Sequence, residues 1–271
     1  MFSYLSPLIV PLFGEPNSVI EIELDLTKIL QSRGIDGASG KFKVECATFT
    51  SRKKIDNKVH EFSADSILTA PKREALSIKS FADQCGYLEI SFQSEAPIFR
   101  RLDLSVGYSI YTRDEVDTFT VIPDTKFARP ILIDQFRETG QFSLVHSASF
   151  SQNNQGTGNS LFFVNPYKKA VLVRIQSQSG KKISAKIDVN EAKMLSLDDF
   201  LEDGEVNCVQ LTANNRIPAW DVKHSSRLPR RINNIDHLDV FRGTRTKQET
   251  TPLRYAKDKL RDFLQFRSVT R

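Results

Sequence analysis

The chain is poor in the residues that build covalent and metal frameworks. Its three cysteines, Cys46, Cys85 and Cys208, stand far apart and are odd in number. No two have zinc-site spacing, and no Cys-x-x-Cys occurs. A disulfide scaffold and a sequence-local metal cluster are excluded, and Cys85 and Cys208 are expected to act as small buried hydrophobes. The histidines His60, His146, His224 and His237 never pair at i, i+2 or i, i+4 with another histidine or a cysteine. The glycines form no Walker A loop, no Gly-x-Gly-x-x-Gly after a strand and no Gly-x-Ser-x-Gly elbow, so the common nucleotide and serine-hydrolase signatures are missing. No cofactor is expected. No apolar run approaches the roughly 20 residues of a spanning helix. The apolar start, Met1 to Phe13, lacks a basic leader and is interrupted by Pro7 and Pro11, unlike a signal peptide. A reduced, cytoplasmic protein without a membrane span is expected.

What the chain has is strand chemistry. Among 271 residues there are 19 phenylalanines but only 2 methionines, and the supply of Phe, Val, Ile and Thr favours strands. Val19 to Leu26 alternates apolar residues with Glu21, Glu23 and Asp25, and Lys41 to Phe49 alternates again. Each reads as a half-buried strand. Ile183, Ala185, Ile187 and Val189 repeat the pattern after the turn Gln178-Ser179-Gly180-Lys181. Leu197 to Phe200 reads as one helical turn capped by Ser196. Ser151 to Ser160, polar with two glycines, reads as an exposed hairpin loop between Leu144–Phe150 and Leu161–Val164.

The second half appears as a copy of the first. Leu76-Ser77-Ile78 and Phe81, then an apolar strand Tyr87 to Phe92, then Pro97-Ile98-Phe99, match Leu195-Ser196-Leu197 and Phe200, then Val206 to Leu211, then Pro218-Ala219-Trp220. Upstream, Leu12-Phe13 and Val19 to Ile22 match Leu161-Phe162 and Ala170 to Val173 more loosely. A duplicated β-unit implies two like domains. The expected fold is all-β: two tandem pseudo-symmetric antiparallel β-sandwich domains, residues 1–125 and 126–245. Residues 246–271 are expected to form a linker and a C-terminal amphipathic helix. Short strands at regular spacing with turn residues between them support the sandwich.

The tail differs in charge. From Lys223 to Arg271, 13 Lys and Arg stand against 5 Asp and Glu, a net of +8, while the whole chain is +5. The first 222 residues therefore sum to −3 (5 − 8). Thr250-Thr251-Pro252 starts a helix, and Leu253, Leu260, Phe263 and Leu264 share one of its faces. Such a helix, about 16 residues long, is marginal alone in water. The stripe is therefore expected to dock on a protein partner or a second copy. The cluster Arg227, Arg230 and Arg231, continued by Arg242, Arg245 and Lys247, could contact phosphates. Aromatic interleaving is thin there, and nucleic acid is the less favoured partner.

Loop candidates for a ligand site are Tyr167, beside the rigid Asn165-Pro166 turn, the lone Trp220, the strand-end His224, and Arg227. Asn165-Pro166, Val171 to Ile175, Leu195-Ser196-Leu197 and Arg216 to Leu228 together resemble the sensory rhodopsin transducer type of β-sandwich. The resemblance covers residues 160–228. It implies a small cytoplasmic oligomeric sandwich with a ligand- or partner-binding role. This chain departs from that pattern by an extra serine between His224 and Arg227, by duplication and by the basic tail. Two function classes follow: a non-enzymatic interaction or assembly protein, and a carbohydrate- or small-ligand-binding module. An enzyme is not expected. Asp198-Asp199 and Glu202-Asp203 read as solvated acids in turns.

Overall fold

The computed structural model describes residues 3–4, 8–13, 18–27, 40–69, 75–81, 84–95, 106–112, 119–121, 145–152, 156–167, 170–201, 206–213, 217–225, 232–238 and 241–242. The chain divides into two compact units, Met1–Ile131 and Leu132–Arg271. The described residues are mostly β-strand, in antiparallel sheets.

The strands of the first unit are β1 (Ser3–Tyr4), β2 (Leu8–Phe13), β3 (Ser18–Asp25), β4 (Lys41–Thr50), β5 (Lys53–Ser63), β6 (Ala75–Phe81), β7 (Cys85–Ser94), β8 (Val106–Thr112) and β9 (Phe119–Val121). A short helix, α1 (Ala64–Thr69), follows β5. One sheet has the order β1-β7-β4-β5, with β2 also paired to β7, and the other has the order β6-β3-β8-β9. The alternation read along β3 sorts its side chains by face. Ile20, Ile22 and Leu24 are fully buried, whereas Glu23 is exposed and Glu21 and Asp25 are half-buried.

The second unit contains β10 (Val145–Gln152), β11 (Thr157–Asn165), β12 (Val171–Ser177), β13 (Lys182–Ile187), β14 (Glu191–Ser196), β15 (Val206–Ala213), β16 (Ala219–Ser225), β17 (Ile232–His237) and β18 (Phe241–Arg242). Its sheets have the orders β13-β12-β15-β10-β18 and β14-β11-β16-β17. Leu161, Phe163 and Ala219 from one sheet join Val171, Val173, Ile175, Val209 and Leu211 from the other in a single buried cluster. Tyr167, Ile217 and Leu238 belong to the same cluster.

Apart from β1 and β18, which pair with non-corresponding strands, the described strands of the two units follow one order. β5-β4-β7-β2 corresponds to β13-β12-β15-β10, and β6-β3-β8-β9 corresponds to β14-β11-β16-β17. Leu76 lies opposite Leu24 on β3, and Leu195 lies opposite Leu161 on β11. Ile78 and Phe81 are strand residues of β6, whereas their sequence matches Leu197 and Phe200 lie in the turn after β14. Cys85 lies opposite Phe13 on β2, and Cys208 opposite Phe150 on β10. The upstream match read from sequence is displaced by one strand, however. Leu12-Phe13 lie on β2, whose counterpart is β10, while Leu161-Phe162 lie on β11. A pair of adjacent apolar residues is too common in strands to set register. Pro97-Ile98-Phe99 lie outside the described residues.

Two further expectations are corrected. β10 and β11 belong to different sheets, so the segment between them crosses over rather than closing a hairpin. β11 begins at Thr157, so Gly158, Asn159 and Ser160 are buried strand residues rather than an exposed loop. The Asn159 backbone is bonded to Asp198 and Leu197, and the Ser160 hydroxyl to His224. Leu197 to Phe200 forms a hydrogen-bonded turn, in which Leu197 O accepts from Phe200 N and Leu201 N. The Asp198 amide donates to Ser196 Oγ at 3.2 Å, so Ser196 does cap it. The predicted C-terminal helix lies outside the described residues.

Candidate functional site

Two buried polar side chains, Ser160 and His224, share one face of β11 and β16. Cross-strand neighbours in a sheet share a face. Trp220 lies opposite Phe162, Val222 opposite Ser160, and His224 opposite Gly158. This face is the reverse of the one that carries Leu161, Phe163 and Ala219 into the core cluster. It is closed all the same, with Phe162, Trp220 and Val222 fully buried. Here the second unit departs from its counterpart strand β3, whose second face carries Glu21, Glu23 and Asp25. Phe162 and Trp220 meet edge to face, with ring centroids 6.1 Å apart.

His224 is 3% exposed, and its Nε2 stands 2.9 Å from Ser160 Oγ. Its Nδ1 stands 3.2 Å from the Ser225 carbonyl oxygen. A carbonyl can only accept, so these partners assign the proton to Nδ1, and Nε2 accepts from the Ser160 hydroxyl. Gly158 makes room for the ring, because a Cβ there would stand 2.1 Å from His224 Cε1. The next residue is also tied down. The Asn159 amide donates to Asp198 Oδ1 at 2.7 Å, and the Leu197 amide donates to the Asn159 carbonyl at 2.8 Å. Asp198 is therefore a half-buried acceptor, not the freely solvated acid expected from its neighbour Asp199. On the core side, Lys223 Nζ bridges both oxygens of the buried Asp221, at 2.8 and 2.9 Å.

A hydroxyl bonded to an imidazole is the pairing that activates serine nucleophiles. Here Ser160 is 1% exposed, in the middle of a strand flanked on both sides by partners. No substrate can reach its Oγ in this conformation. What the arrangement does is satisfy a hydroxyl and an imidazole inside a closed sheet face. Sequence reasoning missed Ser160 because polar residues around Gly156 and Gly158 resemble a loop. The signal was the alternation of Gly158, Ser160 and Phe162 leading into the apolar run.

The proposed ligand residues do not converge. Tyr167, 1% exposed, belongs to the core cluster between the sheets. Trp220 and His224 occupy the opposite face of β16. The turn before Tyr167 is structural: Asn165 Nδ2 donates to the carbonyls of Ile187 and Asp188, and Asn165 Oδ1 accepts the Tyr167 amide at 3.0 Å. Arg227, and the partner-binding candidates Leu253, Leu260, Phe263 and Leu264, lie outside the described residues. Among the described residues, no group of three or more His, Cys, Asp or Glu could hold a metal ion, and no helix is long and apolar enough to cross a membrane.

The cysteines are all free thiols, and Cys85 and Cys208 are half-buried rather than buried, while Cys46 is buried. Burial pushes the Cys46 thiol up to about 12, with a smaller push from Glu45. Cys85 Sγ donates to the Phe13 carbonyl at 3.1 Å across the β2–β7 ladder.

No protein-family model matches the chain. Comparison with curated proteins gives no match either.

Proposed function

We propose that the chain is a non-enzymatic interaction protein. In this reading it is a tandem pair of β-sandwiches that binds a protein partner or a second copy through sheet edges and an amphipathic C-terminal helix. The observation that carries it is the outer strand β5, exposed at every residue from Lys53 to Val59. An edge of that length offers a row of backbone groups to another chain. The shared strand order of the two units, and the common core of the two sheets in the second, support the tandem-sandwich reading. The resemblance to transducer sandwiches agrees with a binding role in the cytoplasm.

The ligand-module reading needs Tyr167, Trp220 and His224 to share one opening. Their burial on opposite sides of β16 favours association instead. The test is the mass of the full chain in solution, alone and after Leu260→Asp with Phe263→Asp. Loss of the assembly at unchanged melting temperature supports a docking helix. A lower melting temperature at unchanged mass would overturn that part of the reading.

A further inference from the structure

We propose that β5 is a self-association edge, along which two copies of this chain pair antiparallel about a twofold axis at Asn57. This rests on the association reading above and names its surface and register. Among the described residues β5 pairs with β4 and with no other strand. It carries Ile55 and Val59, which are 60% and 51% exposed, the two most exposed large hydrophobics among the described residues.

A strand that pairs with its own copy must be complementary to its own reverse, because a twofold interface is isologous. With Asn57 on the axis, Ile55 faces the second copy's Val59, and Asp56 faces its Lys58. Each of these pairings occurs twice, and apolar or opposite-charge neighbours across a ladder are favourable. Lys53 and Lys54 lie beyond the register shift at Ile55 and enter no pairing.

Lysines on an edge ordinarily repel other strands. Here the charges are largely compensated within the copy. Lys58 lies 3.6 Å from Asp56, Lys54 lies 3.7 Å from Glu45, and Lys43 pairs with Glu61. The ladder to β4 shifts register between Thr48 and Phe49, which leaves Ile55 without a partner residue on β4. Such a bulge usually shortens an edge. In the proposed pair it confines the ladder to Ile55–Val59. An interface this small belongs to the weak class, and its ion pairs make it weaken with salt.

The test is sedimentation of the full chain over concentrations up to about 100 µM, the range in which weak interfaces assemble. The variants Asp56→Lys and Lys58→Asp change exposed positions, and circular dichroism checks that each remains folded. Each variant alone opposes like charges at both symmetry-related positions, and its dissociation constant is expected to rise roughly tenfold. An equimolar mixture of the two is expected to recover the dimer, because at positions 56 and 58 each lysine then faces an aspartate. Dimers untouched by either variant, or single losses that mixing does not repair, would overturn this register while leaving association through another surface standing. A full chain that stays monomeric throughout would overturn both this register and self-association. Association only with an added, different protein would overturn it in favour of a heterologous partner.

Discussion

Gly158 and His224 share one space: the imidazole lies where a side chain at 158 would begin, with Cε1 2.1 Å from the position of its Cβ. The ring can hold Ser160 only because residue 158 has no Cβ. Gly158→Ala should force the imidazole off the Ser160 hydroxyl and cost about 1–3 kcal/mol, as overpacking does. Urea unfolding measures this. In the double variant Gly158→Ala with His224→Ala, the overlap is gone. The two losses should then be less than additive, and strict additivity would contradict the shared space.

Trp220 is the only tryptophan and is fully buried against Phe162. Its fluorescence should be blue-shifted in the native protein and shielded from acrylamide. Trp220→Ala should cost about 3–5 kcal/mol. A red, freely quenched emission from folded protein would show that this face opens.

The Cys46 thiol, raised to about 12 by burial, should resist thiol reagents at pH 8 in the folded protein. Its ordinary value is about 9, so the native state holds the proton more tightly than the unfolded chain. The resulting stability is fully present below pH of about 9 and is lost as pH rises toward about 12. Cys46→Ala should flatten that alkaline loss in unfolding curves taken at successive pH values.

Lys223 neutralises the buried Asp221, which also faces Asp236 on β17. Lys223→Met should cost about 1–3 kcal/mol, since it removes the cation that bridges both oxygens of a buried carboxylate. Adding Asp221→Asn should restore much of this loss. If the double variant is as unstable as the single, the ion pair does not carry the effect.

A covalent probe separates the closed Ser160 from a nucleophile. A fluorophosphonate should leave the native chain unlabelled at Ser160, as read by peptide mass. Labelling that vanishes in His224→Ala would establish an active hydroxyl and an opening to it.

The amino-acid order by itself determined the strand content, the turn at Gln178–Lys181, the sidedness of β3 and the equivalent places of Leu76 and Leu195. These are local properties, because alternation reports which face a residue takes, and turn residues mark where a strand stops. Tertiary structure alone decided which strands pair. It placed β10 and β11 in separate sheets, turned the polar Gly158–Ser160 segment into a buried strand, and set Tyr167 and Trp220 on opposite sides of β16. The sequence of a strand with both faces buried carries no alternation, so nothing local announces a second covered face. The Ser160–His224 pair depends on register between residues 64 apart, and register is fixed by the joint packing of several strands rather than by any one of them.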